Sequence, residues 1–140
     1  ELEAAVQSVC RHGIRQGWVR SAHDCAEGGV AIALAEACIA GQLGAQISIP
    51  TPASALRWDE ILFGEGGARI LVSVDTMYQG EWEDYLQQFL NHAWQKLGQV
   101  TPGSQGFVVK TENNLTLINA SMEDISSPWL TAIETALAAD

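Results

Sequence analysis

Positive charge is scarce in this chain. Seven Lys and Arg residues stand against 17 Asp and Glu over 140 residues, a formal net charge of −10, and the basic residues never run together. Such a surface repels phosphate backbones and anionic lipid, which argues against nucleic-acid binding and membrane-surface attachment. An anionic small molecule stays open, because a few backbone N–H groups or one arginine can dominate the potential locally. Cysteine is also sparse: Cys10, Cys25 and Cys38 are odd in number and lack C-x-x-C spacing. Neither a disulfide framework nor a zinc site is indicated, and reduced, cytoplasmic thiols are expected. No apolar run approaches the ~18 residues of a membrane span, and no charged-then-apolar leader opens the chain. The Asn-x-Ser/Thr matches at Asn114 and Asn119 are therefore read as chance. GxGxxG and GxxxxGK(S/T) are both missing, so neither a Rossmann nor a P-loop site is supported. Internal repeats, linkers and low-complexity runs are missing as well.

What is present is apolar. Hydrophobic residues make up 47% and charged residues 17%, the balance of a compact globular chain with some apolar surface to spare for a partner. The length suits one domain, spanning residues 1–140, with one substantial core. The first residues already follow a helical pattern and no initiator Met precedes them, so a fragment of a longer protein is expected.

Leu2, Val6, Val9 and Cys10 fall at helical spacing, and the helix is expected to end between Gly13 and Gly17. Trp18 to His23 reads as an extended segment. Val30 to Ala40 is apolar all round except at Glu36, a helix buried between layers, with Gly41 and Gly44 bracketing its end. Ala45, Ile47 and Ile49 alternate with polar residues as a half-buried strand stopped at Pro50. Thr51-Pro52 opens a helix whose body is Ala55 to Phe63. After Gly64 to Gly67, Ala68 to Val74 reads as a strand buried on both faces. Trp82 to Leu97 forms an amphipathic helix capped by Gly98. Phe107–Val109 and Leu115–Ile118 flank Glu112-Asn113-Asn114 as a hairpin. Ser121 with Asp124 reads as a capping box, Ser127-Pro128 as a further helix start, and Trp129 to Ala139 as the last helix. The fold class is layered α/β or α+β, a mixed sheet covered by helices.

Chemistry is concentrated in Ser21 to Ala35, where a run ending in His23-Asp24 meets Glu27-Gly28-Gly29 and the apolar helix. A helix opening at two glycines points free N–H groups and its positive dipole end outward, a place for a phosphate or carboxylate. Glu27 sits where its charge opposes a phosphate, and the glycines also suit close helix packing. His23, Asp24 and Cys25 cannot form a triad, because neighbours in an extended segment point to alternating sides. His23 fits either a phosphate or amide contact or a satisfied, partly buried histidine; Asp24 fits a helix cap, an arginine partner or a plain structural acceptor. Gly64-Glu65-Gly66-Gly67-Ala68-Arg69 is the second candidate. It reads equally as an anion turn or as a tight connection in which Arg69 pairs Glu65 or Asp59. The stripe from Trp82 to Trp94 is core, whereas Trp18, Trp58 and Trp129 are candidates for a partner surface.

Taken together, SAHDCAEGGVAIALAEA and ILFGEGGARILVSV resemble the C-terminal domain of the second half of phosphoribosylformylglycinamidine synthase, in the aminoimidazole ribonucleotide synthetase superfamily. The resemblance covers essentially the whole chain. It implies an α/β domain leaning on separate N-terminal ATP-binding domains, with ligands in clefts between them. The family enzyme uses ATP and magnesium to activate the amide oxygen of formylglycinamide ribonucleotide, and ammonia from a glutaminase subunit then displaces phosphate; a small bridging subunit completes the complex. His23, Asp24, Glu27, Gly28 and Gly29 match the family's His-Asp-x-Ser-Glu-Gly-Gly motif. Glu65, Gly66, Gly67 and Arg69 match its Gly-Glu-Ser-Gln-x-Arg motif. All nine are expected at a ligand or nucleotide cleft. Ala26 replaces the motif's serine and Gly66-Gly67 its Ser-Gln pair, so only backbone contacts remain at those positions, and an auxiliary nucleotide site is as consistent as substrate contact. No catalytic residue, metal ligand or tightly bound cofactor is expected in this domain, which alone should be inactive. The alternatives are the matching domain of aminoimidazole ribonucleotide synthetase or another superfamily member, and a non-catalytic module that binds a phosphometabolite or forms a homodimer.

Overall fold

The computed structural model describes residues 1–51 and 56–138. Its contacts divide the chain into two compact units, Glu1–Leu34 with Ala55–Lys96 and Ala35–Ser54 with Leu97–Asp140. The α/β class expected from the sequence is present, with the strands shared between two sheets.

In the first unit, α1 (Leu2–Arg15) ends where expected, with Gly17 in the left-handed region. Strand β1 (Val19–Asp24) pairs antiparallel with β3 (Ile70–Val74) as a two-stranded ladder. The second strand is shorter than the expected Ala68–Val74 and only half-buried, because Ala68 sits at φ 62° in the preceding turn and two strands cannot cover both faces. Helix α4 runs from Gln79 to Leu90, not from Trp82 to Leu97: Asn91 at φ 54°, ψ −105° stops it. Val9, Val19, Trp82 and Leu86 form the core of this unit, with Trp18, Tyr85 and Trp94 packed on it. Trp94 thus joins the core from outside the helix. Trp18, expected as a partner-surface candidate, lies edge-on to Trp82 at 6.4 Å. His12 stacks on Tyr85 at 4.3 Å.

The expected helix from Thr51-Pro52 through Ala55–Phe63 is cut back to α3 (Trp58–Phe63); Pro52 to Ala55 lie outside the described residues. Arg57 is extended and its N–H donates to Glu60 at 2.8 Å, a reach-back that fixes the helix start one residue later.

Helix α2 (Gly29–Gly41) begins in the first unit and ends in the second. From Gly29 to Ile39 none of its residues is exposed, as its all-round apolar sequence requires. The second unit holds a four-stranded mixed sheet in the order β4-β2-β5-β6. Strand β2 (Leu43–Ile49) buries Ala45, Ile47 and Ile49 as its alternation predicts. It runs parallel to β5 (Phe107–Thr111), which forms the expected hairpin with β6 (Thr116–Ala120), with Asn114 at φ 63°. The edge strand β4 (Gly98–Pro102) was not legible: it opens with a glycine, closes with a proline and has no apolar run. Gly98 does not cap a helix. A Cβ there would run into the Gln46 carbonyl, so the glycine admits β4 to its partner. Helix α5 spans Met122–Leu137 from the Ser121/Asp124 capping box, and Pro128 lies inside it and does not start it. The box opens the helix ahead of the proline, which removes one backbone donor without ending the run.

Candidate functional site

The register of the β1/β3 ladder brings the two glycine motifs together. Asp24 pairs with Ile70, so the end of the His-Asp strand lies beside the residue that follows Arg69. One further backbone bond, from the Cys25 N–H to the Arg69 carbonyl at 3.1 Å, extends the ladder into both turns. Beyond it the turns are tied by a side chain: Glu65 Oε1 accepts from the Gly28 N–H at 3.1 Å.

Gly28 and Gly29 take φ 67° and 70°, the left-handed region that glycine enters without strain. At Gly29 the backbone also approaches α3, since a Cβ would lie 2.7 Å from the Leu62 carbonyl oxygen. The close-packing role of these glycines is therefore real. The anion at the start of α2 is the Glu65 carboxylate.

Asp24 Oδ1 accepts from the Ala26 N–H at 3.0 Å, which shapes the turn out of β1. His23 Nδ1 lies 2.5 Å from the Asp24 carbonyl oxygen. A carbonyl only accepts, so Nδ1 carries the proton. Cys25 is 2% exposed and burial pushes its thiol up, the setting of a core cysteine. The Arg69 guanidinium donates to the Gly64 carbonyl and pairs with neither expected acid. Asp59 instead holds Arg57 at 2.8 Å and Glu65 is committed to Gly28.

Asp24, Gly66, Gly67 and Arg69 line one cavity of about 260 Å³ in the first unit. His23, Glu27, Gly28, Gly29 and Glu65 do not line it. Its opposite wall is α1, through Glu3, Val6 and Gln7, which sequence reasoning missed. Those residues carry no motif; the one sequence trace is that Glu3 and Gln7 stand four apart, on one face of α1, where Gln7 donates to Glu3 at 3.4 Å. A larger cavity of about 390 Å³ lies within the second unit between Ile39, Gln42, Met122 and Leu130, with Glu123 its only charged lining residue. Among the described residues no three His, Cys, Asp or Glu side chains converge as a metal site. Among the described residues, too, no helix is long and apolar enough to cross a membrane.

A mixed α/β domain with two glycine turns locked together beside a cavity of charged and apolar lining is the class of protein that fold and site define. Glu3, Asp24 and Arg69 bring charge to the cavity, and Val6, Ala26 and Ile70 give it apolar wall. The chain belongs to the family of AIR synthase related protein, C-terminal domain, which residues 1–110 match. It is 56% identical over 138 residues to phosphoribosylformylglycinamidine synthase subunit PurL of Cyanothece sp., covering 99% of this chain and 18% of that protein. The subunit of the same name from Synechococcus elongatus is 48% identical over 140 residues, covering 100% of this chain and 18% of that protein. The chain thus spans about a fifth of the length of these relatives. Thermotoga maritima PurL complexed with FGAR shares the fold, with a TM-score of 0.73 at 19% identity over 89% of this chain and 21% of that one. Its complex with ATP gives 0.72 at 19% identity over 87% and 21%.

Proposed function

We propose that this chain is a domain of phosphoribosylformylglycinamidine synthase and forms one wall of a nucleotide or ribonucleotide cleft in that enzyme. The observation that carries this reading is the 56% identity along 99% of the chain with a PurL subunit. The cavity beside Asp24, Gly66, Gly67 and Arg69 supports it, since it combines a cation with a glycine turn open to a ligand. The whole enzyme acts in purine biosynthesis in the cytoplasm. It converts formylglycinamide ribonucleotide (FGAR) to the formylglycinamidine, and ATP supplies the phosphoryl group that activates the amide oxygen for attack by ammonia. Magnesium and the catalytic groups belong to other domains of the same polypeptide. A glutaminase subunit and a small bridging subunit complete the assembly, a reading supported by the solved Thermotoga maritima PurLQS, which shares the fold at a TM-score of 0.70.

The test is ATP hydrolysis by the full polypeptide carrying this domain, with ammonium as nitrogen donor. FGAR is expected to stimulate ADP release, and the 140 residues alone are expected to give none. A full polypeptide whose ATP hydrolysis ignores FGAR overturns the reading.

A further inference from the structure

We propose that Glu65 is a positioning residue, holding the Gly28 turn against the Gly64–Gly67 turn and so setting the cavity beside them, and that it does not contact the ligand. This rests on the cleft reading above. Two ties join the turns across 37 or more residues of sequence: the backbone bond from Cys25 to Arg69 and the side-chain bond from Gly28 to Glu65. They bracket Ala26 and Glu27 on one side and Gly66 to Ala68 on the other. The cavity-lining residues Ala26, Gly66 and Gly67 lie inside that bracket, whereas Glu65 itself is outside the lining.

Chemistry favours the same assignment. The Gly28 N–H stands just ahead of the 13 residues of α2, whose positive end favours an anion. A bond from that N–H to a carboxylate is charge-assisted, and it removes the donor from any incoming phosphate. Gly28 is held at φ 67°, a conformation with no neighbouring ladder to support it beyond Cys25. Without Glu65 the turn keeps its local Asp24 bond and the Cys25–Arg69 tie at its other end, but nothing holds its Gly28 end to the facing turn. The ligand then meets a cavity whose two glycine turns are tied at one end only.

Two variants of the full polypeptide separate positioning from contact. Glu65→Gln keeps an acceptor oxygen at the same reach, and Glu65→Ala removes it; the side chain is exposed, so both are expected to fold. In FGAR-dependent ATP hydrolysis, Glu65→Ala is expected to raise KM by about tenfold with kcat within about threefold of the parent, and Glu65→Gln to restore KM to within about threefold. Backbone hydrogen exchange over residues 25–32 is expected to quicken in Glu65→Ala and not in Glu65→Gln. Equal damage from both variants, or no change in KM in either, overturns the proposal. If the parent polypeptide shows no FGAR-dependent activity, the cleft reading fails, and the exchange comparison still decides Glu65: an unchanged rate in Glu65→Ala overturns its role.

Discussion

Glu65 Oε1 lies 3.1 Å from the Gly28 nitrogen, so the anion at the positive end of α2 comes from the chain itself. The Gly28 donor is thereby taken, and the cavity beside the turns opens on the Gly66–Gly67 side with Arg69.

The glycine at position 29 is required twice, by φ 70° and by the 2.7 Å that would separate a Cβ from the Leu62 carbonyl oxygen. Gly29→Ala is expected to cost at least about 2 kcal/mol in urea unfolding. Gly80, in α4 with nothing within 4 Å of an added Cβ, is the contrast. Gly80→Ala should gain about 0.5 kcal/mol by lowering the entropy of the unfolded chain. An unchanged or raised stability in Gly29→Ala, like that of Gly80→Ala, would remove the packing argument for Gly29.

The Thr101 hydroxyl is buried without a hydrogen-bond partner in β4. An orphaned hydroxyl costs desolvation that a methyl does not, so Thr101→Val is expected to stabilise by about 1 kcal/mol while keeping the β-branched shape. A loss of stability would mean that the hydroxyl is satisfied in solution.

Two carboxylates contribute to the acid limb. The Arg20 guanidinium at 2.7 Å, with the Met77 N–H, holds Asp75 below the usual carboxylate range. The Ser121 hydroxyl and N–H do the same for Asp124. A folded value below the unfolded one means that the unfolded chain binds protons first on acidification. Their stabilisation is therefore complete above about pH 4 and is lost as pH falls through the folded values. Melting temperatures of the Asp75→Asn/Asp124→Asn variant should fall less steeply below about pH 4 than those of the parent. Parallel acid limbs would refute the assignment.

Burial pushes all three thiols up, Cys25 and Cys38 most deeply enclosed among them. The folded state keeps its thiol protons to higher pH than the unfolded chain, so this contribution is intact below about pH 8.5 and is lost as pH rises through the folded values. At neutral pH a thiol reagent should modify the native chain only as fast as it unfolds, and should titrate three thiols in denaturant. Rapid native labelling of Cys25 would revive the nucleophile that the strand geometry excludes.

Side-chain burial should divide the second unit sharply. Val109 is fully buried in β5, and Val109→Ala is expected to cost about 2 kcal/mol. Ile133 on α5 is 76% exposed, so Ile133→Ala should change stability by less than about 0.5 kcal/mol. A larger loss at Ile133 would show that the α5 face is covered in solution.

The elements legible in the sequence are those whose burial imposes a period. Helix α2 shows its enclosure in residues that are apolar on every side, and β2 shows its single buried face in Ala45, Ile47 and Ile49. Local chemistry fixed the Asn114 turn and the Ser121 cap. Strand β4 escaped because an edge needs backbone partners more than apolar side chains, and Val100 is 54% exposed. The premature end of α4 at Asn91 is a backbone event inside a stripe that continues to contribute to the core through Trp94. At the site, composition identified both glycine turns, but only the β1/β3 register reveals that they adjoin. The partners of Glu65 and Arg69 were assigned by charge, whereas the fold gives each a backbone group, Gly28 N–H and Gly64 C=O. The Glu3 and Gln7 wall has no motif and follows from packing alone.

Gly67 offers the most direct measurement of whether this cavity faces a ligand. It lines the cavity, its backbone is not left-handed, and an added Cβ meets nothing within 4 Å. Gly67→Leu in the full polypeptide should therefore add bulk at the cavity lining without straining the backbone. The expected result is a KM for FGAR or ATP raised by at least about tenfold at an unchanged melting temperature. An unchanged KM for both would contradict the cleft assignment.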